Sequence, residues 1–177
     1  MLYLRLDSTD EQTTVEALIA AARGAVEEAT QLQLITATWE LTLDGFPRNW
    51  SEPIELPRPP ITAITSIAYT DENGAAQTLS ASDYQVDAKS FPGRLVPAVD
   101  LEWPDTQADK LNAVTITYTA GYGAAGSSVP RPLRQAMLLL VSHWFENREA
   151  VVVGTIVTEL PFAVKSLIAP FRVMTQR

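Results

Sequence analysis

The residues with the most chemical potential lie near the carboxyl end, in "SHWFENREAVVVG". His143, the only histidine of the chain, stands one helical turn before Glu146, with Arg148 and Glu149 just beyond. A histidine and a glutamate three apart on a helix share a face, and such pairs ligate metals when facing helices add further ligands. Here no second histidine and no cysteine exist to complete the set. A Ser-His mechanism would also fall to His143, yet the chain has no G-x-S-x-G elbow, and Trp144 and Phe145 crowd the position. The expectation is a histidine on a helix face, with no catalytic residue and no metal.

Other chemistries fail similarly. "GYGAAGSS" has the glycines of a phosphate loop but no lysine, and it enters a helix through Val129-Pro-Arg-Pro132. Those prolines remove backbone donors that a phosphate would use. Trp39, Trp50, Trp103 and Trp144 could line a sugar site, and an acidic chain always offers carboxylate pairs. Hence a hydrolase or carbohydrate-binding module stays as the rival reading. Neither a cofactor motif nor a metal-ligand spacing is present, and no cofactor is expected.

Without cysteines there are neither disulfides nor thiolate chemistry. The amino terminus lacks the basic and apolar segments of a signal peptide. No apolar run approaches the roughly 20 residues of a membrane span. A soluble, non-secreted protein is expected. Net charge is −8, but from Arg131 onward six basic residues face three acidic ones, so the last 47 residues carry +3 and the first 130 carry −11. An acidic bulk does not wrap nucleic acid, although it can repel phosphates and let DNA slide past.

The elements that would position these residues follow from periodicity. In "STDEQTTVEALIAAARGAVEEATQLQL", Val15, Leu18, Ile19, Ala22, Val26, Ala29 and Leu32 recur at helical spacing, with Ser8, Thr9 or Asp10 as N-cap. Gly24 either admits another helix closely or is merely tolerated, at about 1 kcal/mol against alanine. Ala37, Trp39, Leu41 and Leu43 then alternate with polar residues, as in a half-buried strand. Pro57, Pro59 and Pro60 suit an edge or crossing segment, and Asn73-Gly74 suits a hairpin turn. Further short strands are expected in "DYQVD", "GRLVP" and "NAVTITYTAGYG". After a Gly/Ser-rich hinge, Leu133, Met137, Leu140, Val141 and Trp144 form one helical stripe. Leu138, Leu139 and Phe145 spread beyond it, as in a core helix or one that also faces a neighbouring subunit. A short helix opens at Pro161 and breaks at Pro170.

The expected class is therefore α+β. Residues 1–34 and 122–177 form a helical core with a carboxyl-terminal arm, and residues 35–121 form an inserted antiparallel β lobe. The arm, "AVVVGTIVTELPFAVKSLIAPFRV", is too apolar to stay bare, and a neighbouring subunit is the expected cover.

Taken together, "EALIAAARGAVEEATQLQLITATWELTLDGFP", "IELPRPPITAITSIAYTDENGAAQTLSASDYQVD", "PGRLVPA", "NAVTITYTAGYG", "VPRPLRQAMLLLVSHWFENREAVVVG" and "ELPFAVKSLIAPFRV" resemble the head–tail connector (adaptor) proteins of tailed bacteriophages and gene transfer agents. The stretch "EWPDTQADK" adds nothing to that likeness. The resemblance implies a structural virion protein without enzymatic activity. Its partners would be further copies of itself in a ring expected to be twelve-fold, the portal protein, and a stopper or tail-side neck protein. DNA would pass through the channel without sequence-specific binding, and no membrane is involved. The implied location is the virion head–tail junction, reached from the host cytoplasm during assembly. Another neck or tail-completion protein is the alternative within the same biology. The residues expected at assembly contacts are Trp144, Phe145, Val151, Val152, Val153, Ile156, Leu160, Phe162, Leu167, Ile168, Phe171 and Arg172. On this reading, deleting Phe171 to Arg177 leaves the domain folded and abolishes docking.

Overall fold

The computed structural model describes residues 9–49, 52–146 and 160–173. Helix α1 (Thr9–Thr30) opens the chain, seven strands follow, and helices α2 (Arg131–Glu146) and α3 (Phe162–Ile168) close it. The class is α+β, as the periodicity requires. Thr9 and Asp10 are already helical, and the Ser8 cap position lies outside the described residues. None of the described helices is long and apolar enough to cross a membrane.

The helices share one apolar cluster. Ala22 and Val26 of α1, Leu133, Ala136, Leu140 and Val141 of α2, and Val164 and Ile168 of α3 are buried together, with Leu32 and Leu34 beneath. These positions recur three or four apart along each helix, so each contributes one stripe to a common interior. Gly24 meets open space where a Cβ would stand. It is therefore a tolerated glycine rather than a site of close helix approach.

The strands form two antiparallel sheets. The larger has the order β1 (Ala37–Leu43), β7 (Val114–Ala120), β3 (Ile61–Thr70), β4 (Ala76–Thr78). In the smaller, β6 (Gly93–Pro97) lies between β2 (Ile54–Leu56) and β5 (Tyr84–Asp87). On central β7, Val114, Ile116, Tyr118 and Ala120 point into a second cluster that also takes Ile54, Leu56, Ile67 and Leu95. On edge strand β1, the expected alternation holds from Ala37 to Leu43. Burial raises the Tyr118 phenol to about 12, and its hydroxyl donates to the Pro57 carbonyl at 3.0 Å.

Three details refine the sequence reading. The proline segment does flank an edge strand, β2, but Ile61, directly after Pro60, starts the interior strand β3. In the β3–β4 hairpin only Gly74 has a positive φ, +83°. The Asp71 carboxylate closes that turn by accepting from Asn73 N, Ala75 N and Gln77 Nε2. Those bonds, the Gln77 one foremost, hold it below the usual carboxylate range. Finally, "EWPDTQADK" is structural: Trp103 stacks on Phe46 with centroids 4.8 Å apart, and Thr106 bridges to Asp71.

Both chain crossings between helices and strands run side by side. Thr36 N donates to Gly123 O at 3.0 Å, Tyr122 N to Leu34 O at 3.2 Å, and Gly121 N to Pro60 O at 2.8 Å. The glycine-rich stretch expected as a hinge is thus fastened to the crossing segment at residues 34–36.

Candidate assembly surfaces

The carboxyl-terminal elements divide into an inward and an outward face. Val164 and Ile168 are buried, and Leu160, Leu167, Phe171 and Val173 pack against the helical cluster from its edge. Phe162, at the first position of α3, is 86 % exposed. After α3 a 3₁₀ turn (Ala169–Phe171) brings the chain to the end of α1. There Arg172 Nε donates to Ala29 O at 3.1 Å and Val173 N to Thr30 O at 3.0 Å. Both acceptors belong to the last turn of α1, whose carbonyls have no partner within the helix. The segment is in this respect part of the core, because its apolar residues at 164, 167, 168 and 171 follow a helical stripe. Trp144 packs on the same cluster and Phe145 is half-buried. Val151, Val152, Val153 and Ile156 lie outside the described residues.

The end of α1 is also where helices meet strands. Arg58, in the turn between β2 and β3, has φ +58°. Its guanidinium donates to Glu27 O at 3.0 Å and to Glu28 Oε2 at 2.7 Å, and lies 5.6 Å from the Trp39 ring centroid. Trp39 Nε1 donates to Gln33 Oε1 at 3.1 Å, and the Glu27 carboxylate accepts from Leu34 N at 2.9 Å. A cation at a helix C-terminus completes the last carbonyls and suits the dipole. The Arg58 hydrogen bond, assisted by Gln31 and by the Arg58 charge, pulls Glu28 below its ordinary value. Arg58→Ala is expected to lose about 1–2 kcal/mol, chiefly from the bond to the backbone carbonyl, read as a lower urea midpoint at unchanged m. Arg58→Lys should recover only part of it, since one ammonium cannot span both acceptors as the guanidinium does.

The third surface belongs to the small sheet. A groove of about 810 Å³ runs along β5 and β6, lined by Gln85, Arg94, Val96 and the loop after β6. In that loop Leu101 N donates to Ala98 O and Ala98 N to Asp83 O, both at 3.0 Å, and Asp100 has φ +63°. The turn lifts Val99 to 77 % and Leu101 to 47 % exposure, with Asp100 and Glu102 exposed beside them. At the other rim Asp87 accepts from Ser90 Oγ and from Arg94 Nη2 at 2.6 Å each. Ser90 first, then Arg94, keeps its carboxyl far below the ordinary value.

The residues that suggested chemistry do not converge. His143 and Glu146 are exposed on α2, and no group of three or more metal-ligating side chains occurs among the described residues. Arg148 and Glu149 lie outside those residues. Trp39 is held in the joint with Arg58, Trp103 is stacked in the strand cluster, and Trp144 packs on the helices. Trp50 lies outside the described residues. The three described tryptophans thus sit in separate places and line no common cleft.

A model of the head completion protein family matches residues 1–172. The chain belongs to the head completion protein family. No curated protein matches it. Among solved structures it is similar to a chain in the virion of a native gene transfer agent particle, at 27 % identity and TM-score 0.76, covering 99 % of this chain and 87 % of that one. It is likewise similar to a chain in the neck of a native gene transfer agent particle computed with C12 symmetry, at 25 % identity and TM-score 0.72, over 93 % and 84 % of the two chains. A third match, in the neck of an empty particle computed with C6 symmetry, has 25 % identity and TM-score 0.74 over 99 % and 87 %.

As a head completion protein the chain has a structural, head–tail connector role in a phage-like particle. The functional features to explain are therefore surfaces rather than a cleft. Sequence reasoning placed them at the carboxyl end and missed both the Arg58 joint and the Val99–Glu102 loop. The latter's signal was present, as two apolar residues interleaved with two acids directly after a strand.

Proposed function

We propose that the chain is one subunit of a ring, twelve-fold in the particle, that sits between the portal and the tail and extends the DNA channel. The observation that carries this reading is likeness over nearly the whole chain to a chain in a gene transfer agent virion and to chains in two particle necks, both computed with ring symmetry. In this reading the protein performs no catalysis and takes no cofactor. The helices with their carboxyl-terminal arm, residues 1–34 and 122–177, form one unit, and residues 35–121 form the lobe inserted into it. The arm engages the portal or the adjacent subunit through Val151, Val152, Val153 and Ile156 together with the exposed Phe162. Leu160, Leu167, Ile168, Phe171 and Arg172 hold the base of the arm to its own subunit, and Trp144 and Phe145 brace the end of α2.

The charge split suits such a ring. Acidic amino-terminal and lobe residues facing the channel would repel passing DNA phosphates and keep them from sticking. The subunit is made in the host cytoplasm and assembles on the portal; a stopper or tail-side neck protein docks beneath it. Mass measurement of the purified protein, alone and with its portal, tests the proposal. The expected result is a discrete ring mass on the portal. If the protein associates neither with portal nor with itself at high concentration, the ring reading is lost.

A further inference from the structure

A cyclic ring is closed by heterologous contacts, so each subunit must offer two different surfaces that fit each other. Two exposed surfaces of this chain have matching composition and opposite charge. The first is the loop after β6, with Val99 and Leu101 raised above the groove and Asp100 and Glu102 between and beside them. It belongs to a lobe in which residues 35–121 hold twelve carboxylates against five basic side chains. The second is the open stripe of α2. There Arg131 is exposed, Arg134 follows one turn later, and Leu138, one further turn on, is 43 % exposed although it lies in a helix otherwise packed on two sides. It belongs to the part of the chain that carries +3.

Arg134 gives the second surface direction. Its Nε is buried and has no hydrogen-bond partner. Nε itself is closed to solvent, so a carboxylate arriving from outside the subunit meets the part of this half-buried cationic side chain that stays accessible. Arg131 and Arg134 are separated by roughly 5 Å along the helix axis, a spacing that two carboxylates two residues apart in a turn can meet. An exposed leucine beyond the arginines completes the match to Val99 and Leu101.

We infer that the Val99–Glu102 loop of one subunit docks on the Arg131, Arg134 and Leu138 stripe of the next, and that this contact closes the ring. The occupant of each surface is a second copy of this chain. Asp100 and Glu102 pair with Arg131 and Arg134, while Val99 and Leu101 cover Leu138. The inference rests on the ring reading, and its test separates the two.

The chain has no cysteines, so disulfide trapping is free of background. The full-length variant carrying Leu101→Cys and Leu138→Cys, assembled at high concentration or on its portal and then oxidised, is expected to give a ladder of covalent oligomers. The two single variants mixed should give only a mixed dimer. In parallel, Arg131→Glu with Arg134→Glu is expected to weaken self-association at least about tenfold, and adding Asp100→Arg with Glu102→Arg to the same chain should restore it. Assembly without the ladder, crosslinks only between like positions, or charge reversals without effect on assembly would overturn this contact and leave the ring reading standing. Failure of the unsubstituted protein to associate with itself or with portal would remove both.

Discussion

Gly121→Ala will destabilise the protein by roughly 3–5 kcal/mol, the largest effect expected of so small a change. Gly121 has φ +130°, a region that residues with a Cβ rarely enter. A Cβ built there stands 2.6 Å from Thr36 N and 2.7 Å from Thr36 Cα, both backbone atoms that no rotamer change can move aside. Relief would require breaking the bonds that fasten Gly121 to Pro60 and Thr36 to Gly123, where the two crossings between helices and strands meet. For a chain of this length each kcal/mol lowers the melting temperature by about 2–4 °C, so a fall of about 10 °C is expected in calorimetry. Gly24→Ala is the matched control. Its Cβ meets nothing within 4 Å, and the gain in helix propensity should stabilise α1 by up to about 1 kcal/mol.

Deletion of Phe171 to Arg177 will lower stability by roughly 3 kcal/mol, from partly buried apolar side chains and lost hydrogen bonds. Phe171 and Val173 pack on the helical cluster, and Arg172 and Val173 complete the last turn of α1. A melting temperature some 6–12 °C lower, with a single cooperative transition, is the expected outcome. An unchanged melting temperature would show that these residues serve docking alone, as the sequence had suggested. Helix α3 (Phe162–Ile168) is retained in this variant, so the fold survives where removal of the whole carboxyl-terminal segment would also take Val164 and Ile168 out of the helical cluster.

What the residues made legible was local. Val15 through Leu32 and Leu133 through Trp144 declare their helices because an apolar residue recurs every three or four positions, and β1 declares itself by strict alternation. The division of strands between two sheets was not legible. Strands β4 and β5 are separated by only five residues, yet they pair with β3 and β6 respectively, a choice made by distant partners. Arg58 was hidden for the same reason, since its acceptors on Glu27 and Glu28 are some thirty residues away. The carboxyl-terminal segment was misjudged in degree. Its apolar content suggested an arm covered by a neighbouring subunit, but Val164 and Ile168, four apart, point inward and bind it to its own subunit.

His143 and Glu146 illustrate the opposite error that spacing alone invites. Two chemically able side chains on one helical face do not by themselves make a site, and both are exposed on α2. The information about function lay in the order of segments along the whole chain and in which apolar residues remain uncovered, Phe162, Val99, Leu101 and Leu138 among them.

Electron cryomicroscopy of the particle that carries this protein tests the central claim most directly. The account predicts a ring of this chain between portal and tail, twelve copies encircling the DNA channel. A particle whose neck lacks the chain, or holds it outside any ring, would contradict it.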